Sequence, residues 1–137
     1  MAAASEQTVL YVDKRNVLHS FDINNGDDIW SLILKDEIVC EFAMNSNCVI
    51  VGSKQGLIQC FDQTSSRLRW QCRTDGNATG FAVDRERLFI TNTIGGVEGR
   101  NMDDGSLAWK AMTYGAISKS PSIVRWICRR NGNWGRP

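Results

Sequence analysis

The chain has 137 residues, of which 42% are hydrophobic and 23% charged, values that exclude wholesale disorder and suit one domain with a real core. A formal net charge of +1 gives no electrostatic case for binding nucleic acid or an acidic membrane, although four arginines and no acids stand in the last 13 residues. The five cysteines (40, 48, 60, 72 and 128) form no CxxC pair and have one histidine between them, so neither a zinc site nor a disulfide framework is expected, and a reducing, cytoplasmic setting is.

Residues 1–7 have neither the basic nor the apolar region of a signal peptide and read as a leader ahead of the fold. No apolar run approaches the ~18 residues of a membrane helix. Thr8 to Val12 is a short run of β-formers, stopped by Asp13-Lys14-Arg15-Asn16. Val17 to Phe21 follows, then a turn at Asn24-Asn25-Gly26, then Ile29 to Leu34. The order recurs as Cys48 to Val51, Leu57 to Phe61 and Leu68 to Cys72, and again from Arg87, from Val97 and from Leu107. Further strands are expected at Ile38 to Ala43 and Ala78 to Val83. The runs at Val9 to Val12 and its echoes are apolar at odd and even positions alike, so these strands should be covered on both faces, as in stacked sheets.

One stretch sets the register of all this. Ser20 to Trp30 is repeated as Cys60 to Trp70 and, more worn, as Gly99 to Trp109. Trp30 and Trp70 are 40 residues apart, and Trp70 and Trp109 are 39 apart. A period near 40 with four short strands per unit describes a β-propeller. The expected fold is all-β: about three four-stranded antiparallel blades in an incomplete ring. The blades should occupy about 8–36, 37–76 and 77–115, the first of them opening at a second-strand position. A fourth repeat should start at 116–124, and 125–137 should be a basic Trp/Arg tail outside the repeat, so the chain reads as a fragment or truncated isoform.

Asp22, Gly26 and Trp30 resemble A-x-D-x-x-x-G-K-x-x-W, the tryptophan-docking motif of PQQ-like (quinoprotein-type) β-propellers, with Ser20 at the small first position and Asp27 in place of Lys. The second copy keeps Asp62 and Trp70 and has Ser66 for the glycine; the third has Asn101 for the aspartate and keeps Gly105 and Trp109. These eight residues (Asp22, Gly26, Trp30, Asp62, Trp70, Asn101, Gly105 and Trp109) are read as structural docking positions. An indole buries about 150–250 Å² and has one N–H to satisfy. The small column Ser20, Cys60 and Gly99 should leave room for a bulky side chain from the next blade, and Asp22 should accept N–H groups of its own turn.

No catalytic, cofactor or metal site is expected. Asp22 to Asp28 has its glycine fifth and Ile33 at the twelfth position, where an EF-hand needs glycine sixth and Glu twelfth. Gly95-Gly96-Val97-Glu98-Gly99 is not G-x-G-x-x-G and reads as a turn. His19 aligns with Gln59 and Glu98, a polar column in the third strand, so His19 is expected to face solvent. Asn77-Ala78-Thr79 is a glycosylation sequon that matters only in a secreted protein. The family's enzymes hold PQQ with calcium and often an adjacent Cys-Cys disulfide; this chain has no such pair, so PQQ is not carried over. A WD40 reading is disfavoured because Gly-His and Trp-Asp are missing.

The function expected is a non-enzymatic module for protein–protein interaction or scaffolding. Its partner would be another protein or the missing blades, with self-association a further expectation and no nucleic acid or membrane as ligand. The alternative is an accessory domain of a larger enzyme, since the resemblance implies that such blades can be appended to adenylate-forming acyl-activating enzymes.

Overall fold

The computed structural model describes residues 2–4, 8–113, 121, 127–128 and 134–135. Three four-stranded antiparallel sheets follow one another along the chain. The first holds β1 (Ala2–Ala4), β2 (Thr8–Val12), β3 (Val17–Asp22) and β4 (Asp28–Ile33) in that spatial order. The second holds β5 (Ala43–Met44), β6 (Cys48–Gly52), β7 (Leu57–Asp62) and β8 (Leu68–Arg73). The third holds β9 (Ala78–Val83), β10 (Arg87–Asn92), β11 (Gly96–Asn101) and β12 (Leu107–Met112). A separate hairpin pairs β13 (Ile127–Cys128) with β14 (Trp134–Gly135).

Each sheet is one blade, and the repeat reaches into its irregularities. The ladder between third and fourth strand slips once per blade, at Ser20/Phe21, Cys60/Phe61 and Gly99/Arg100. The three blades of the described residues form an incomplete ring, below the four to eight of closed propellers.

Stacking explains the apolar strand runs. Val49 and Val51 of β6 pack toward the first blade, in a core with Leu10, Leu18, Phe42 and Phe61. Cys48 and Ile50, pointing the other way, join Ile58, Cys60, Trp70, Phe81, Leu88 and Ile90 toward the third. All five residues of β6 are therefore buried.

Two expectations are corrected here. Ala2–Ala4 is not a leader ahead of the blades: it pairs with β2 (Ala2↔Tyr11, Ala4↔Val9) and supplies the first blade's inner strand. That blade thus does not open at its second strand. The strand expected over Ile38 to Ala43 shrinks to Ala43–Met44 and an isolated bridge, Ile38↔Ser53. Between Ile38↔Ser53 and Ala43↔Ile50 five steps of chain face three, so the excess residues bow out of the ladder. The expected start of a fourth repeat lies outside the described residues except for Pro121, as does most of the tail.

Candidate functional site

The turn between third and fourth strands is built the same way three times. Asp22 N–H donates to the Asp27 carbonyl (2.8 Å) and Gly26 N–H to that of Asp22 (2.9 Å). The second turn repeats this with Asp62 to Arg67 (2.8 Å) and Ser66 to Asp62 (3.0 Å), the third with Asn101 to Ser106 (2.9 Å) and Gly105 to Asn101 (2.8 Å). The fifth residue of each lies in the left-handed region: Gly26 at φ 73°, Ser66 at 61° and Gly105 at 76°.

The leading side chains hold their own turns. Asp22 Oδ1 accepts the Asn24 N–H at 2.8 Å. Asp62 Oδ1 accepts from the Thr64 hydroxyl (2.6 Å) and from the N–H groups of Thr64 and Ser65 (2.9 and 3.1 Å). Those donors, the Thr64 hydroxyl first, hold the Asp62 carboxyl down at about 2. Asn101 instead donates from Nδ2 to Ser106 Oγ (2.8 Å) and accepts at Oδ1 from Arg87 (3.1 Å).

Two of the three tryptophans cross from blade to blade above these turns. Trp30, Trp70 and Trp109 stand directly opposite Ser20, Cys60 and Gly99 on the neighbouring strand of their own sheets. The small column therefore makes room for the same blade's indole, not for a side chain of the next blade as the sequence had suggested. At Gly99 a methyl group would come within 2.4 Å of the Trp109 ring. Laid across the equivalent positions of the first two blades, the indoles reach the following blade. Trp30 Nε1–H donates to the Gln63 carbonyl at 2.7 Å, and Trp70 Nε1–H to that of Met102 at 2.7 Å. Gln63 and Met102 each follow the leading residue of a turn. Gly105 forms the floor of the Trp70 seat, where a methyl group would meet the ring at 2.4 Å.

Trp109 holds the same register and has a different setting. Its side of the third blade carries Phe89, whose ring centre is 6.0 Å away. Trp109 is 45% exposed against 8% for Trp70, and no described residue accepts its indole N–H. At the other end of the stack, no atom lies within 4 Å of where a Cβ on Gly26 would be.

The polar column is buried at its third member. Glu98 is 2% exposed, lodged in the joint between second and third blades. The Thr74 hydroxyl donates to Glu98 Oε2, and Arg100 Nε donates to Oε1 at 2.8 Å. Asn92 Nδ2 donates to Thr74 Oγ1 (3.0 Å), while Arg100 also caps the carbonyls of Gly105 (2.8 Å) and Arg73 (3.1 Å). A carboxylate so enclosed survives because its oxygens are bonded and a guanidinium pairs it. His19 is only partly exposed, its ring beside those of Tyr11 and Phe21 (4.9 and 6.1 Å) with Nε2 2.8 Å from Asp13 Oδ2. That contact above all holds the Asp13 carboxyl at about 2.

No three His, Cys, Asp or Glu among the described residues are placed to hold a metal ion. Cys40, Cys48, Cys60 and Cys72 are free, and burial pushes the Cys40 thiol up to about 11.

The family model described as outer membrane protein assembly factor BamB matches residues 1–111. No curated protein sequence matches. Among solved structures, BamB from Moraxella catarrhalis superposes with a TM-score of 0.73 at 13% identity, over 82% of this chain and 34% of its own. The computationally designed Ika4 protein gives 0.77 at 13% identity, over 98% and 87%. The quinohemoprotein alcohol dehydrogenase ADHIIG from Pseudomonas putida HK5 gives 0.68 at 18% identity, over 82% and 20%. The chain thus spans about a third of BamB and a fifth of the dehydrogenase, and at these identities the likeness is one of fold. With the family model covering all three stacked blades nearly to the end of β12, this chain belongs to the PQQ-like β-propeller family.

Proposed function

We propose that the chain is a non-enzymatic propeller module that binds protein, acting as part of a ring whose remaining blades come from elsewhere. The observation that carries this reading is the outer strand of the third blade. Every residue of β12 is exposed, and Leu107, Trp109 and Met112 are among them. Large apolar side chains gathered at an exposed strand mark an interaction surface more often than a reaction centre. BamB, whose family model matches, is described as an assembly factor, and this supports a binding role. The free thiols at 40, 48, 60 and 72 suit a reducing, cytoplasmic compartment.

The reading takes no quinone or metal. A ligand raises the melting temperature only by binding the native state, so adding PQQ with calcium should leave Tm where it was. A saturable rise of several degrees would contradict the proposal and favour a quinoprotein.

A further inference from the structure

The two interior joints show what a docked blade looks like, and the two ends of the stack carry its separate halves. In a joint, the residue after the leading Asp or Asn becomes buried: Gln63 and Met102 are each 5% exposed. Its carbonyl takes the incoming indole N–H. On the first blade the same position is Ile23, an apolar residue left 43% exposed. Its turn is already closed by the same pair of backbone bonds, at 2.8 and 2.9 Å, that close the turn receiving Trp70. Gly26, at φ 73° against 76° for Gly105, offers the same bare floor with nothing over it.

The walls match too. Tyr11 and Phe21 stand where Val51 and Phe61 of the second blade meet the first, and their rings stack 5.4 Å apart. On the third blade Phe89 takes the place of Ile50, which lies in the joint ahead of it. Among the described residues, one end therefore presents an indole without an acceptor, the other an acceptor turn without an indole.

We propose that the third blade of one copy docks against the first blade of a second copy, with Trp109 seated on Gly26 and its N–H given to the Ile23 carbonyl. The partner is a second copy because its exposed turn continues, in backbone bonds and position, the interface the chain already makes twice. The docking rests on the binding-module reading and names its surface and partner. A head-to-tail contact closes into a ring only when its rotation allows. Two copies with two such joints give six blades, inside the usual four to eight.

Sedimentation velocity of the full chain over a wide concentration range tests it, with Trp109→Ala and Ile23→Arg alongside. Both substitutions fall on exposed side chains, and circular dichroism will show whether each variant keeps the wild-type sheet signal. Wild type should form a dimer. Each variant should associate at least about tenfold more weakly, as expected for loss of a central aromatic anchor or a charge forced into its seat. An equimolar mixture of the two variants should pair more tightly than either alone, because it restores one intact joint. A wild-type chain that stays monomeric, or variants that associate as wild type does, would overturn this docking. Neither result touches the binding-module reading, which stands or falls on the response to PQQ and calcium.

Discussion

The joint between the first and second blades and the joint between the second and third use one motif and seat it to different depths. Trp70 rests on Gly105 and is 8% exposed, while Trp30 docks on a turn whose fifth residue is Ser66 and stays only half buried. A side-chain carbon at Gly105 would collide with the Trp70 ring, and Ser66 carries such a carbon. The hydrogen bonds are equal, 2.7 Å in both joints. The indole N–H thus fixes where the ring lands, and the fifth residue of the receiving turn decides how deep it sinks. The deeper joint also holds the buried Glu98–Arg100 pair, for which the shallower one has no counterpart: Gln59 and Phe61 stand there.

The comparison breaks most visibly at the indoles. Trp70→Ala should cost about 3–5 kcal/mol, the usual loss for a buried aromatic. Trp30→Ala should cost less, because less of its surface leaves water. Midpoints from denaturant titration of the two variants will rank them, and equal losses would show that depth of seating is irrelevant.

Exchanging the floors sharpens the same point. Gly105→Ser should destabilise by about 1–3 kcal/mol through overpacking beneath Trp70. Ser66→Gly should stabilise by about 1 kcal/mol, since it relieves a left-handed non-glycine residue and clears the Trp30 seat. Thermal melts of both variants check the signs, and a loss from Ser66→Gly would refute the account of the shallow joint.

The smallest effect is in acid. Asp62 leads the turn that receives Trp30, and its carboxyl sits at about 2 when folded, below the ordinary 3.8. Its contribution is therefore complete above 3.8 and is lost as pH falls from there toward about 2. Asp62→Asn should flatten that part of the stability–pH curve and lower stability slightly at neutral pH. An unchanged acid limb would mean that the turn does not depend on this carboxylate.

The blades were legible because spacing survives in sequence: three tryptophans about 40 residues apart, each with a small residue ten positions before it. What spacing does not carry is which sheet a side chain meets. The small column implied an indole nearby, but only the ladder shows that Ser20 faces Trp30 of its own blade. The burial of Glu98 has no local signal because its partners are Arg100 and a threonine 24 residues earlier, brought together only when blades stack. Ala2–Ala4 escaped notice because three alanines lack β-propensity. They form a strand because β2 offers them an open edge.

Solvent exchange of the indole N–H groups, read one by one by NMR in the dilute wild-type chain, tests most directly whether each docking tryptophan is held by the blade that follows it. Trp30 and Trp70 Nε1–H should exchange slowly, protected by the Gln63 and Met102 carbonyls, while Trp109 Nε1–H exchanges at the rate of an open indole. A Trp70 N–H that exchanges as fast as that of Trp109 would contradict the account.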